Sequence, residues 1–515
     1  MSSIKEFGDF QTPKALADEV VKLLGNLCPE PGHVIEPTAG LGTFLKAARD
    51  KWGNGSTYQG YEINAEYVEQ ANQALAHDGI SVLQGDFFAI DWKEKLAATS
   101  SRKVLLLGNP PWVNNSTLGG LNSCNLPAKT NFQGLRGLDA MTGKANFDIS
   151  EWMLIRLLEV LPDNGSMAML CKTATARKIL RHFWKRDQGW MDCRIFRIDA
   201  KESFDVSVDA CLFFVGGGKG ITKMASLYET LGTTVPSGKF GLIDGELVSD
   251  VDAYLELRNL DGGSPHIWRS GIKHDASAVM ELIPKDDHYL NGSGEIVSIE
   301  PNFVYPLLKS SDLGNGRTIP RRAVIVTQKT SGDPTSIIED TAPLTWKYLC
   351  DNGAQLDARR SSIYRNRPRF AMFGIGPYSF ASWKVAISGL YKSFEFTVLP
   401  PVAGKPVMVD DTCYTIPCRS EAHARILRRI LSSDISLRFL KSLVFMDSKR
   451  PITVDVLRRL SIISVARHLG CLEELKMFES YSFPEEAGST RQLNLLMSRE
   501  FEYKAIPDKK RRQAP

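Results

Sequence analysis

The first 220 residues alternate between short apolar runs and longer segments in which apolar residues recur at helical spacing. The intervals with helical spacing are 14–27, 45–51, 65–76 and 149–161. The apolar runs have the length of strands and occupy residues 34–35, 57–61, 80–83, 104–107, 166–171, 193–198 and 210–215. This alternation predicts an α/β fold in which helices cover both faces of a mostly parallel sheet.

Residues suited to ligand binding follow each of the first four predicted strands. Ligands of such sheets bind beyond the carboxyl ends of the strands, so these positions are expected to meet. Each residue alone has an ordinary explanation as a turn glycine, a loop acid or a helix cap. Four sites at consecutive strand ends predict a binding site instead. They are Glu36, Thr38 and Gly40, then Glu62 and Ile63, then Asp86 and Phe87, and finally Asn109, Pro110, Pro111 and Trp112.

The first three of these sites suit a nucleoside. The glycine-containing turn allows the backbone to approach a ligand closely. Glu62 lies about 20 residues further on, where a carboxylate can accept hydrogen bonds from both ribose hydroxyls. Asp86 can accept from an adenine amine, and the ring of Phe87 can cover the purine face.

The segment Asn109-Pro110-Pro111-Trp112 predicts methyl transfer to a planar amine. The lone pair of such an amine is delocalised, so acceptors that hold its two hydrogens favour the tetrahedral geometry of the transition state. The Asn109 side-chain oxygen and the Pro110 carbonyl can supply these acceptors, and the prolines restrict their backbone. Trp112 offers a face for stacking, which contributes about 1–3 kcal/mol per base. No cysteine nucleophile is required.

In this order, the motifs resemble those of the gamma-arranged adenine-N6 DNA methyltransferases of restriction-modification and related defence systems, the TaqI type. Residues 10–13, Phe-Gln-Thr-Pro, are similar to the family's F-x-T-P cofactor motif, and residues 146–148, Asn-Phe-Asp, to its fifth motif. The resemblance covers about the first 220 residues. It implies a Rossmann-like S-adenosyl-L-methionine-dependent methyltransferase domain followed by an α+β target-recognition domain.

The resemblance also implies roles for individual residues. Phe204, in a segment similar to the family motif at 203–215, is the candidate for stacking on a flipped base opposite Trp112. Two positions depart from the family pattern, since Trp112 replaces the usual Tyr or Phe and Asp148 stands where an aromatic residue is common. The implied cofactor-binding residues are Thr12, Pro13, Glu36, Thr38, Gly40, Glu62, Ile63, Asp86, Phe87 and Asn109.

After the glycines at 216–218 the strand and helix alternation ends, and a domain boundary is predicted between residues 225 and 226. Basic residues of the second half cluster with aromatic ones, a combination suited to phosphates and base edges. Residues 226–515 are therefore predicted to read double-stranded DNA. The candidate DNA-binding residues are Arg359, Arg360, Arg365, Arg367, Arg369 and Lys384. Residues 373–389 also resemble a segment of larger family members, and the basic tail at 509–512 suits nonspecific attraction.

Composition adds less. The net charge of +4 does not decide for or against a nucleic-acid partner. The nine cysteines are scattered without a C-x-x-C pair; Cys413 and Cys418 lack a second ligand pair, so no metal is expected. No apolar run approaches the roughly 18–20 residues of a membrane span, and the N-terminus lacks a signal-like stretch, which predicts a cytoplasmic protein without a membrane partner. The resemblance to restriction-modification methyltransferases implies that this cytoplasm is bacterial.

Two other functions stay open from the sequence. One is a methyltransferase that acts on an RNA adenine or a protein glutamine, because N-P-P-aromatic segments serve those substrates too. The other is a catalytically silent DNA-binding subunit, against which an intact Asn109 and four cofactor sites argue. No nuclease motif of the P-D-x(n)-E-x-K kind is found, so any cleavage activity is expected in a separate restriction or defence protein.

Overall fold

The structure is a computed structural model, and it describes residues 11–28, 30–98, 102–112, 148–220, 222–448 and 450–478. Phe10, the first two residues of the predicted fifth motif and the basic tail lie outside these residues. The chain divides into two compact units between Leu255 and Glu256. Within the described part, no helix is both long enough and apolar enough to cross a membrane.

The first unit is built around one ten-stranded sheet. Its strands are β1 (His33–Glu36), β2 (Thr57–Glu62), β3 (Ile80–Gln84), β4 (Val104–Gly108), β5 (Ser166–Lys172), β6 (Trp190–Ile198), β7 (Ala210–Lys219), β8 (Met224–Tyr228), β9 (Gly238–Ile243) and β10 (Glu246–Val248). Its helices are α1 (Lys14–Leu27), α2 (Thr43–Trp52), α3 (Ala65–Ala74), α4 (Trp92–Ala98), α5 (Ile149–Val160), α6 (Thr173–Trp184), α7 (Ala200–Phe204) and α8 (Val251–Glu256), the last of which spans the division between the units.

The strand order is β3-β2-β1-β4-β5-β7-β6-β8-β9-β10. Strands β3, β2, β1, β4 and β5 run parallel, and β7 is antiparallel to both of its neighbours. The first five strands thus follow the doubly wound order 3-2-1-4-5. This confirms the predicted α/β, Rossmann-like fold, and each of the seven predicted apolar runs lies in one of β1 to β7.

Burial explains why these segments form their elements. All five residues of the central strand β4 are buried, as expected for a strand covered on both faces. Helix α1 buries one side of its surface, which includes Leu16, Val20 and Leu24, in the core that α1 and α2 form with the sheet. The carboxyl ends of β1, β2 and β4 therefore come together at one edge of a rigid sheet.

The sheet continues beyond the predicted boundary at 225/226. Strand β8 pairs in parallel with β6, where Arg194 lies opposite Ser226, and β9 and β10 add antiparallel hairpin strands to it. These segments lack crossover helices, so the alternation that marks the earlier strands disappears before the sheet does. The division of the chain consequently falls later, between Leu255 and Glu256.

The second unit combines two smaller sheets with short helices, an α+β arrangement. The strands are β11 (Arg269–Ser270), β12 (Glu281–Pro284), β13 (Tyr289–Leu290), β14 (Ile296–Val297), β15 (Val304–Leu308), β16 (Arg322–Ile325), β17 (Trp383–Ser388), β18 (Thr397–Leu399), β19 (Met408–Val409) and β20 (Cys413–Cys418). The two sheets have the strand orders β11-β20-β17-β18 and β14-β13-β12-β16-β15-β19. The helices are α9 (Ser277–Met280), α10 (Ser310–Gly314), α11 (Ile337–Thr341), α12 (Pro343–Asp351), α13 (Gly353–Asp357), α14 (Glu421–Leu431), α15 (Asp434–Ser442), α16 (Val454–Arg458), α17 (Ile462–His468) and α18 (Leu472–Lys476).

Candidate cofactor and catalytic site

The turn between β1 and α2 requires glycine at two positions. Gly40 and Gly42 have φ angles of +50° and +77°, which other residues adopt at a cost in strain. The Ala39 N–H donates to the Tyr61 carbonyl of β2 at 2.8 Å, and the Gly42 N–H donates to the Ala39 carbonyl at 2.8 Å. The turn therefore folds back on the neighbouring strand.

Glu62, at the end of β2, is fixed against this turn. Its Oε2 accepts a hydrogen bond from the Gly40 N–H at 2.8 Å, and its Oε1 accepts from the Asn64 N–H at 2.9 Å. Each carboxylate oxygen has a second lone pair, so the group can accept two further hydrogen bonds. The geometry is compatible with the predicted binding of two ribose hydroxyls. Ile63, the next residue, is 42% exposed and can cover one face of a ligand.

Glu36 is a buried carboxyl at the end of β1, with only 3% of its surface exposed. Burial raises its pKa well above the ordinary value, the nearby Glu62 carboxylate raises it further, and a hydrogen bond from the Leu45 N–H opposes the shift. Its Oε2 has no hydrogen-bond partner among the described residues. A buried orphan oxygen of this kind is rare, and it points to a ligand group that would pair with it.

The end of β3 differs from the prediction for Phe87. Its ring is buried and packs on Trp92 at 5.1 Å between centroids, and the Trp92 indole donates to the Phe87 carbonyl. The neighbouring Phe88, which the sequence did not single out, is partly exposed and lies against Trp152 at 4.9 Å. Phe88 is thus the more accessible ring at this position. Asp86 is exposed, and its Oδ1 accepts from the Phe88 N–H at 2.9 Å.

The N-terminal motif lies against both the glycine turn and the Asn-Pro-Pro-Trp segment. The Thr12 hydroxyl accepts a hydrogen bond from Asn109 Nδ2 at 3.4 Å, although the two residues are 97 positions apart. Gln11 Oε1 accepts from the Leu41 N–H at 3.3 Å, and a Cβ atom at Gly40 would lie 2.6 Å from it. The structure brings together the predicted residues of the first, second and fourth strand ends, and it adds Gln11 to them.

Trp112 is held at two points. Its indole Nε1 donates to the Leu170 carbonyl at 3.3 Å, and its own carbonyl accepts from Lys172 Nζ at 3.2 Å. The ring is buried in the core on the α1 side of the sheet, and Phe204 meets it edge to face, with 5.3 Å between centroids and 72° between planes. Two rings in this arrangement leave no parallel gap, so a base clamp between Trp112 and Phe204 requires one ring to turn.

Asp148 has a structural role that explains why it is not aromatic. It precedes α5 and caps that helix, because its Oδ1 accepts from the Ser150 N–H at 3.1 Å and the Ser150 hydroxyl at 2.7 Å. Its Oδ2 accepts from Lys172 Nζ at 2.5 Å. A side chain at this position therefore needs to be a short hydrogen-bond acceptor.

In the second unit, two of the predicted DNA-binding side chains instead donate hydrogen bonds to backbone carbonyls of the same unit. The Arg359 guanidinium is half-buried and donates to the carbonyls of Leu356, Ala371, Arg369 and His274 at 2.7–3.3 Å. Lys384, only 3% exposed in β17, donates from Nζ to the Val407 carbonyl at 2.8 Å, and burial lowers its pKa to about 7. The placement of both side chains contradicts their assignment as phosphate contacts, because neither cation faces solvent freely.

The other four arginines of this cluster are exposed. Arg369 forms an ion pair with Asp357 at 2.8 Å, and the Arg367 guanidinium lies 5.6 Å from the centroid of the Phe373 ring. Arg360 and Arg365 form no ion pair with the described residues. Arg360, Arg365 and Arg367 therefore make up the cationic surface that stays available near residue 365.

The described residues include no cluster of three or more His, Cys, Asp or Glu side chains that could hold a metal ion. Cys413 and Cys418 lie at the two ends of β20, where both thiols are buried and unbridged.

Comparison with known proteins finds an extensive match to a type II methyltransferase. The type II methyltransferase M.NspV of Nostoc sp. is 41% identical over 470 residues, which make up 90% of this chain and 97% of that protein. The type II methyltransferase M.CvrRI of Paramecium bursaria Chlorella virus XZ-6E is 35% identical over 112 residues, 21% of this chain and 26% of that protein. Among solved structures, the type IIL restriction-modification enzyme MmeI in complex with DNA is similar over 94% of this chain and 71% of the MmeI chain, with 13% sequence identity and a TM-score of 0.49. No family model matches the chain.

Proposed function

The chain belongs to the family of type II methyltransferases of restriction-modification systems, and on this premise we propose that it is a site-specific DNA adenine-N6 methyltransferase. The methyl donor would be S-adenosyl-L-methionine. The observation that carries the proposal is the position of Asn109, directly after the buried strand β4, with its amide on Thr12. This position supports the proposal because a segment suited to planar-amine chemistry lies beside the residues proposed to bind the cofactor.

The residues at this edge fit the proposed cofactor. The buried, unpartnered Oε2 of Glu36 suits the ammonium of the methionine end, because a cation there would lower the raised pKa of this carboxyl. Glu62 keeps two free lone pairs for ribose hydroxyls. When bound, the cofactor supplies an electrophilic methyl group on a sulfonium.

The proposed role of the chain in transfer is to hold the target amine. The Asn109 side-chain oxygen and the Pro110 carbonyl would accept the two amine hydrogens, which favours the tetrahedral nitrogen of the transition state over the planar ground state. Prolines 110 and 111 limit reorganisation of these acceptors. Trp112 and Phe204 are proposed to stack on the flipped base after one ring turns from the edge-to-face arrangement.

The second unit is proposed to recognise the DNA. Arg360, Arg365 and Arg367 supply exposed cations next to aromatic side chains, as phosphate and base contacts require. The similarity to a type II methyltransferase extends through this unit, and a glutamine-modifying enzyme would not need it. A separate restriction endonuclease is the proposed functional partner, and the bacterial cytoplasm, where its DNA lies, the proposed location.

The test is methylation of defined substrates by the purified protein. Plasmid DNA, duplex RNA and single-stranded RNA are incubated with labelled S-adenosyl-L-methionine, digested to nucleosides and separated by mass spectrometry. We expect N6-methyladenine from DNA alone, and single-molecule sequencing of that DNA then gives the recognition sequence. Methylated RNA would replace the DNA proposal, whereas cofactor binding without any transfer would favour the silent DNA-binding subunit.

The variant Asn109→Ala tests whether this side chain is needed for methyl transfer. We expect it to bind S-adenosyl-L-methionine nearly as the wild type does and to lose methyl transfer, because Glu36 and Glu62 are unchanged and the hydrogen bond to Thr12 that is lost with the acceptor is long. Near-normal transfer by this variant would refute the role of Asn109.

With 2-aminopurine at the target position, Trp112→Ala or Phe204→Ala should alter the fluorescence; no change in either variant would refute base stacking.

A further inference from the structure

Lys172, the last residue of β5, connects two parts of the chain that are distant in sequence. Its ammonium donates to the carbonyl of Trp112 at 3.2 Å and to Asp148 Oδ2 at 2.5 Å. Trp112 closes the catalytic segment, and Asp148 caps α5. The resemblance to known methyltransferases assigns no role to Lys172, and the sequence motifs do not include it.

The register of the sheet explains how Lys172 reaches this position. Strands β4 and β5 pair in parallel, with Gly108 opposite Met169, and β4 ends there. Strand β5 continues for three more residues, so residues 170–172 run beside the chain that follows Gly108. The Leu170 carbonyl accepts from the Trp112 indole, and the Lys172 ammonium then reaches the Trp112 backbone.

The surroundings of Lys172 favour a fixed ammonium. Its side chain is 26% exposed, whereas that of Asp148 is 6% exposed, so the ion pair is shielded from water on the carboxylate side. Asp148 is itself held by the two hydrogen bonds from Ser150. A cation bound to an immobilised carboxylate is a well-positioned donor, and hydrogen bonds from charged donors are stronger than neutral ones.

We infer that Lys172 is a positioning residue for methyl transfer, which fixes the Trp112 carbonyl and through it the two amine acceptors; this inference rests on the proposed function. The step from Trp112 to the acceptors is short and stiff, because Pro110 and Pro111 have locked φ angles. An anchor at the Trp112 carbonyl therefore restricts the Pro110 carbonyl and Asn109. Lys172 contacts neither acceptor in this structure.

The experiment compares Lys172→Met with the double variant Lys172→Met/Asp148→Asn. The double variant removes the ion pair without leaving a buried charge, and asparagine still caps α5, so it protects the test against misfolding. Single-turnover methyl transfer to DNA is measured together with equilibrium binding of S-adenosyl-L-methionine and DNA. Hydrogen–deuterium exchange of a peptide that covers residues 104–112 is followed without cofactor.

We expect the transfer rate to fall about 30- to 100-fold in both variants, since a displacement of about 1 Å at a reacting group costs on the order of 100-fold. Both binding constants should stay within about threefold, and exchange in the peptide should increase. Lys172→Arg, which keeps a cation, should recover most of the rate. The matched control is Lys223→Met, because Lys223 pairs with Asp187 at 2.6 Å and is 31% exposed; it should leave rate and exchange unchanged.

A rate within threefold of the wild type with unchanged exchange would overturn the inference. The inference would also be overturned if the transfer rate, the affinity for S-adenosyl-L-methionine and the melting temperature all fell together, because that result indicates a general structural role. If the wild-type protein methylates nothing, the proposed function fails, but the exchange measurement still decides whether Lys172 anchors residues 109–112. Increased exchange in the double variant would support the anchor, and unchanged exchange would refute it.

Discussion

Replacement of Glu62 by glutamine should weaken cofactor binding by a predictable amount. The carboxylate accepts backbone hydrogen bonds from Gly40 at 2.8 Å and Asn64 at 2.9 Å. Glutamine is neutral and has only one oxygen, so one of the two ribose hydroxyls proposed to bind here loses its charged acceptor. A hydrogen bond to a charged group contributes about 1.5–3 kcal/mol. At about 1.4 kcal/mol per tenfold change, the dissociation constant should rise about 10- to 150-fold.

The assay is isothermal titration of S-adenosyl-L-methionine into Glu62→Gln and into a matched control. Glu69→Gln makes the same chemical change on the exposed surface of α3, where Glu69 accepts only from Gln73 at 3.1 Å. The control should bind like the wild type. Affinity of Glu62→Gln within threefold of the wild type would refute the reasoning, because the turn and the carboxylate would then not act together in binding.

Four further predictions concern pH and charge. Burial lowers the pKa of both His266 and His423 to about 4, so the unfolded chain binds more protons than the folded chain below pH 6.5. The free energy of unfolding should therefore fall by up to about 1.4 kcal/mol per pH unit per histidine as the pH is lowered from about 6.5 to 4. In urea titrations, a variant with glutamine at both positions should show a shallower fall. Arg359→Met should lower the free energy of unfolding by about 2–3 kcal/mol because backbone carbonyls lose their donor. Arg365→Ala should leave the melting temperature unchanged, and it should reduce the slope of the logarithm of DNA affinity against the logarithm of salt concentration by about 1. Cofactor affinity should rise with pH toward the raised pKa of Glu36, since a bound ammonium displaces its proton; a Glu36→Gln variant that keeps this pH dependence would contradict it.

The sequence predicts the first seven strands because each combines an apolar run with a neighbouring helical or turn segment. The sequence also predicts the β1–α2 turn and the role of Glu62, because glycines after one strand and a carboxylate about 20 residues later form a recognisable spacing. Strands β8 to β10 carry no such signal, since their short segments mix polar and apolar residues and no crossover helix lies between them. The division of the chain was therefore expected too early.

Side-chain burial accounts for the other differences. Phe87 and Phe88 are adjacent aromatics, and only packing on Trp92 decides which ring is buried. A positive charge in the sequence does not reveal whether it faces water, although Lys384 between Trp383 and Val385 lies in a strand-like run that hints at burial. The contact of Gln11 with Leu41 depends on a fold across 30 residues, which no local pattern encodes.

The position of β4 in the sheet has a consequence for synthesis of the protein on the ribosome. Its neighbour β1 is complete early, but its other neighbour β5 begins only at Ser166, about 58 residues after Gly108. At about 5–20 residues per second, the growing chain presents a fully apolar strand edge for about 3–12 s. Such an edge invites pairing with other chains. Synonymous codons that slow translation between β4 and β5 should therefore lower the yield of native protein, even though the finished molecule is identical.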